Sequence, residues 1–184
     1  PGDISWFLQD RFGMFISFGL YALPARHEWI KSYERISEDK YQKYFDHFNP
    51  DLYDAKQWAK TAKAAGMKYA VFTTKHHEGF CMWDTATTDY KITKTPYGRD
   101  ATREYADAFR AEGLKVGFYH SLPDWTHPGY SDPESPDGIQ GRPLHKPSQK
   151  EYAEFKELLY NHVCQLMTDY GKIDILFLDY TSKY

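Results

Sequence analysis

Cysteine is scarce in this chain of 184 residues, with only Cys81 and Cys164 present. Two such residues make no disulfide framework, no zinc-type spacing and no CxxC pair. A reducing compartment is therefore preferred, and with no signal-peptide pattern at Pro1 the expected location is cytoplasmic. The absent initiator methionine leaves room for a leader upstream. Positive charge is not in excess either: 23 Lys and Arg stand against 26 Asp and Glu, giving a net charge of -3. The signs are interspersed, so no basic face for nucleic acid is expected. No apolar run approaches the roughly 20 residues of a membrane span. Gly19-Leu20-Tyr21 lacks GxGxxG spacing after the first apolar stretch, which disfavours a nucleotide.

What the chain has is aromatics, 18% of its residues, enough for a large core or a surface on which sugars stack. The length suits one domain over residues 1–184. Gly13 to Gly19 reads as the first strand. Ser37 opens a short amphipathic helix to Phe48, and Asn49-Pro50-Asp51 is a turn. Ala55, Trp58, Ala59, Ala62 and Ala65 share one face of a second helix, which Gly66 stops. Tyr69 to Thr74 is the next strand, followed by a helix from Thr102 to Glu112 and a strand from Lys115 to His120. A Pro/Gly/Ser-rich loop spans Pro128 to Pro147, a length more often functional or mobile than structural. Ser148 caps the longest helix, Gly171 ends it, and Ile173 to Leu178 is the fourth strand.

Near-continuous apolar strands alternating with helices predict a parallel α/β sheet covered on both faces. Each strand ends in a polar residue, as in a TIM-type (β/α)8 barrel, whose ligand site lies at the C-terminal strand ends. Four strands make half of such a barrel. Ser17, His76, His77, His120 and Asp179 are then expected at one mouth, with Trp29, Trp83 and Trp125 in loops on the same side.

Asp179, at a strand end, can be a nucleophile, a general base, a metal ligand or a cap of the next loop. His76 and His77 point to opposite faces if the strand persists, so they cannot be equivalent ligands of one ion. Hydrogen bonding to a hydroxylated ligand is therefore preferred to metal binding, and no metal or other cofactor is expected.

These segments form a recognisable set. Gly13-Met14-Phe15-Ile16, Phe18-Gly19-Leu20-Tyr21, Glu28-Trp29, Lys75-His76-His77-Glu78-Gly79-Phe80, Trp83-Asp84, Gly117-Phe118-Tyr119-His120-Ser121-Leu122, Asp124-Trp125 and Ile173 to Asp179 together resemble the catalytic domain of retaining α-L-fucosidases, glycoside hydrolase family 29. The resemblance runs over essentially the whole chain. It implies hydrolysis of a fucosylated glycan or small fucoside, with Asp179 as the nucleophile that forms a covalent fucosyl-enzyme. It also implies sugar contacts from His76, His77, His120, Glu28 and Trp29, with Phe177 packing beneath the site.

Two departures accompany it. Ser17 stands where the family usually has a sugar-binding histidine, a change worth about 1 to 3 kcal/mol if a buried partner is left unpaired. The acid/base carboxylate of the family comes from beyond the fourth strand, whereas this sequence stops at Tyr184. Open sheet edges are a solubility liability, so self-association into a homodimer or higher homo-oligomer is expected to complete the barrel. In that arrangement Glu78 of a second copy is the acid/base candidate, with Glu28 and Asp124 as rivals. The alternative is a non-catalytic fucose-binding module or an inactive half without an acid/base.

Overall fold

The computed structural model describes residues 3–131 and 145–180. A short helix, α1 (Ser5–Asp10), precedes β1 (Gly13–Ile16), and a one-turn helix, α2 (Ile30–Tyr33), follows it. Then come α3 (Glu38–Asp46), α4 (Ala55–Ala64), β2 (Tyr69–Lys75), α5 (Ala101–Ala111), β3 (Lys115–Ser121), α6 (Gln149–Thr168) and β4 (Ile175–Asp179). The four strands form one parallel sheet in the order β1-β2-β3-β4. The α/β class and the strand-helix alternation expected from sequence are thus present. Most of the Pro128 to Pro147 loop, residues 132–144, lies outside the described residues, as do 181–184.

Local chemistry explains the element ends. Asp54 accepts a hydrogen bond from the Gln57 N–H at 2.9 Å to start α4, and Asp100 accepts from the Arg103 N–H at 2.8 Å to start α5. Ser148 and Glu151 form a reciprocal capping box at α6, which satisfies two otherwise orphaned donors. Gly66, at φ +87°, closes α4 in a conformation that side chains disfavour. The expected first strand is shorter than Gly13 to Gly19. Its ladder to β2 stops at Ile16, whose carbonyl accepts from the Thr73 hydroxyl at 3.0 Å.

Ala70, Phe72, Val116 and Phe118 alternate onto the sheet face covered by α4 and α5, where they join Ala59, Ala62, Tyr105 and Phe109 in the main core. The Tyr105 ring stacks on Phe72 at 4.8 Å, and its hydroxyl donates to the Ala70 carbonyl at 2.7 Å. Burying each large ring contributes about 1.5 to 3 kcal/mol.

The opposite face corrects the expectation of a sheet covered on both sides. Phe15 is 51% exposed and Phe177 47% exposed, their rings 5.7 Å apart with Tyr119 against both. Among the described residues nothing forms a second layer over these rings. An apolar cleft of about 450 Å³ runs along β1 beside α4, lined by Met14, Ile16, Trp58 and Met67 among others. Among the described residues no helix is long and apolar enough to cross a membrane.

Candidate functional site

β4 ends at Asp179, in register with Ser121 of β3. The Asp179 carboxylate is held at both oxygens. Oδ2 accepts from the Tyr119 hydroxyl at 2.6 Å, and Oδ1 accepts from the Tyr180 backbone N–H at 2.9 Å. The side chain stays 33% exposed, so the carboxylate is fixed yet reachable. Burial, followed by the bond to Asp179, pushes the Tyr119 phenol well up, keeping it a hydrogen-bond donor.

β2 ends in a bulge between Thr73 and Lys75, and the chain then turns at His76 and His77. His77 Nδ1 meets Ser121 Oγ, whose own proton goes to the Pro123 carbonyl at 3.0 Å. The serine oxygen must therefore accept from His77 Nδ1–H, which leaves the His77 Nε2 lone pair facing Asp179 Oδ2 at 3.9 Å. Burial, then His76 and Lys75, push the His77 imidazole down to about 2, so it is neutral. At 3.9 Å the two groups share no direct hydrogen bond. His77 Nε2 is therefore left as an acceptor for the O–H of a bound sugar beside the carboxylate.

The His76 ring lies 4.1 Å from that of His77 and stacks on Tyr119 at 5.8 Å. Trp29 stands edge-on to His77 at 4.7 Å and to Trp125 at 5.3 Å. On its other side it stacks on Tyr33, which is 66% exposed. The aromatic wall thus runs from the histidines to the solvent.

Beneath this turn lies a buried ion pair. Lys75 Nζ donates to the Pro123 carbonyl at 2.9 Å and sits 3.6 Å from Asp124 Oδ2. Burial alone would raise the Asp124 carboxyl, but Lys75 and the hydrogen bonds from Thr126 outweigh it and hold the group below the usual carboxylate range. The neighbouring Trp125 N–H donates to the His77 carbonyl at 2.7 Å. Gly79 has φ +84°, and a Cβ there would come within 2.5 Å of Asp124 Oδ1, so this corner requires glycine. The pair thus lies within the same corner as the Trp125 N–H that holds the His77 carbonyl.

The family model for alpha-L-fucosidase matches residues 3–184. The chain belongs to the alpha-L-fucosidase family. The tissue alpha-L-fucosidase of Homo sapiens is 34% identical over 143 residues, which cover 68% of this chain and 31% of that protein. An alpha-L-fucosidase isoenzyme 1 from Paenibacillus thiaminolyticus has 56% identity and a TM-score of 0.89, over 96% of this chain and 42% of that one. An alpha-L-fucosidase GH29 from Bacteroides thetaiotaomicron, a mutant trapped as a covalent intermediate with 2-fluoro-fucosyl fluoride, has 37% identity and a TM-score of 0.82. That match covers 94% of this chain and 40% of that one. The chain therefore spans less than half the length of each of these fucosidases.

Within this fucosidase fold, His76, His77, Trp29 and Asp179 gather at one mouth, with Phe177 two residues before Asp179 and stacked on Tyr119 at 5.8 Å. Glu28 lies at the rim with a 40% exposed side chain, 3.8 Å from His27. Ser17 Oγ is 3.3 Å from the Tyr21 hydroxyl.

Five expectations are corrected. His76 and His77 do not point to opposite faces, because the strand ends at Lys75 and the turn brings both rings together. His120 is not at the mouth: it is fully buried, with Thr74 Oγ1 3.1 Å from its Nδ1 and its ring against Trp83 and His162. Strand alternation gives the mouth to Tyr119 instead, a residue that sequence reasoning missed. Trp83, 1% exposed, is on that same buried side. Glu78 is 1% exposed beneath His76, 3.5 Å from its Nδ1, so this carboxylate is not presented to a sugar in a second copy. Its rival Asp124 is 3% exposed and committed to Lys75 and Thr126. Among the described residues no group of three or more His, Cys, Asp and Glu is placed to hold a metal ion.

A separate groove of about 900 Å³ lies between α4 and α5 and has different chemistry. It is lined by charges of both signs, including an Arg99–Glu104 pair at 2.9 Å, and it collects no histidine.

Proposed function

We propose that this chain carries the fucose-binding and nucleophilic part of a retaining α-L-fucosidase. The observation that supports it most is Asp179, anchored by the Tyr119 hydroxyl and the Tyr180 N–H and still exposed beside a neutral His77. In this reading Asp179 attacks the anomeric carbon of a terminal α-L-fucoside and forms a fucosyl ester as the bond to the leaving-group oxygen breaks. A carboxylic acid protonates that oxygen, and water later cleaves the ester with the same group acting as base. His76 and His77 bind sugar hydroxyls, Trp29 covers an apolar face of the ring, and Glu28 borders it.

Retention requires the second carboxyl group about 5 to 5.5 Å from the nucleophile. Glu78 and Asp124 are both buried, which also favours a second reading, sugar binding without turnover by this sheet alone. The exposed Phe15 and Phe177 and the open edges of β1 and β4 support a sheet completed by further strands, as in an eight-stranded barrel. We infer that self-association is one way to supply them.

Titration with L-fucose, followed by tryptophan fluorescence, tests the reading, since Trp29 and Trp125 touch His77. A saturable change that His77→Ala weakens by about ten- to a hundredfold, the loss of one or two hydrogen bonds, is expected. No response to fucose would contradict it. Light scattering on the same sample is expected to give at least twice the chain mass if copies supply the missing strands, and the chain mass itself excludes that.

A further inference from the structure

The geometry points to Glu78 as the positioning residue that sets the protonation form of His76, and so makes the histidine pair a reader of two hydroxyl donors. This rests on the fucoside reading of the same site. His76 Nδ1 and Glu78 Oε2 lie 3.5 Å apart, both are buried, and neither has another hydrogen-bond partner. An orphaned polar atom in such a place is costly, and two of them facing each other are satisfied together when a proton lies between them. With Glu78 as the acceptor, the proton lies on His76 Nδ1 and the lone pair falls on Nε2.

The ring has little freedom to escape this arrangement. Tyr119 stacks on it at 5.8 Å, and Tyr21 stands edge-on at 5.5 Å. Glu78 is itself buried, 1% exposed. The same pattern exists next door, where Ser121 accepts from His77 Nδ1–H and leaves Nε2 of that ring as an acceptor. Two rings 4.1 Å apart, each with a bare Nε2, make a pair of acceptors. They select a ligand that offers two neighbouring O–H donors, such as the hydroxyls of a pyranose. A ligand that offers only ether or carbonyl oxygens is repelled. Glu78 acts through His76 and does not touch the sugar, a role distinct from the acid/base one expected from sequence.

Long-range ¹H–¹⁵N spectra of the sugar-free protein read the histidine forms directly. His76 and His77 are both expected with the proton on Nδ1 and Nε2 bare. Glu78→Leu, which removes the acceptor, is expected to shift His76 toward the other form and weaken fucose binding by about ten- to a hundredfold, the loss of one or two hydrogen bonds to the sugar. Glu78→Gln, whose amide oxygen still accepts, is expected to restore the Nδ1–H form and most of the affinity. A wild-type His76 that carries a proton on Nε2 overturns the inference even if neither variant folds. So does an unchanged His76 form in Glu78→Leu. Nδ1–H signals in a protein that fails to bind fucose uphold the tautomer assignment and count against the fucoside reading alone.

Discussion

Replacing Asp179 by asparagine is expected to lower turnover of an aryl α-L-fucoside with a good leaving group by roughly a thousandfold or more, in the range seen when a nucleophile is removed from a catalytic unit. Asparagine keeps the shape and can still accept from the Tyr180 N–H, which now lies 2.9 Å from Oδ1. It cannot form the fucosyl ester. Fucose affinity is therefore expected to stay within a few fold of wild type, since His76, His77 and Trp29 are untouched. Steady-state kinetics with a parallel binding titration separates the two effects. Equal loss of binding and turnover would mean that Asp179 is a sugar contact and not the nucleophile.

The second large effect is on stability in mild acid. His77 is pushed down to about 2, His162 to about 3, and His120 well below its ordinary value, burial being the first cause in each case. Lys75 adds to all three, His76 to His77, and His162 to His120, while His127 lowers and Asp124 partly raises His162. Below a pH of about 6.5 the unfolded chain takes up protons at these rings and the folded chain does not. Stability is therefore complete above that pH and falls steadily as the solution becomes more acid. Each ring costs about 1.4 kcal/mol per pH unit once well below 6.5. Between pH 7.5 and 5.5 the three together are expected to remove about 4 kcal/mol, a large share of the 5 to 15 kcal/mol typical of a domain. The lowered Asp124 continues the trend nearer pH 4. Urea unfolding at the two pH values measures this directly, and equal midpoints would contradict it.

Much of the scaffold was legible in the residues themselves. Ser148 announces the start of α6 by side-chain chemistry that acts within three residues, and Gly66 and Gly171 mark ends for the same local reason, whereas the caps Asp54 and Asp100 were not singled out from sequence, which opened the α5 helix at Thr102. Asp179 was readable because a carboxylate that interrupts an apolar run marks the point where the strand leaves the core. Side-chain direction was harder to read. Which of Tyr119 and His120 faces the mouth depends on the register of β3 against β4, where Tyr119 pairs with Phe177. Counting back by twos from Asp179 gives Phe177, and the matching partner in β3 is the tyrosine. β2 ends at Lys75, so His76 and His77 lie in the turn beyond it and converge where strand alternation would have separated them. Glu78 and Trp83 looked like mouth residues from their place after a strand, yet both turn inward to buried neighbours, and those of Trp83 lie far away in sequence.

The measurement that bears most directly on Asp179 is covalent trapping with 2-fluoro-fucosyl fluoride, followed by peptide mass spectrometry. Fluoride leaves without being protonated, so labelling needs the nucleophile and the sugar contacts but no acid/base group. One fluorofucosyl group on the peptide that contains Asp179 is the predicted result. Saturable fucose binding with no label, or a label on Glu28 in place of Asp179, would contradict it.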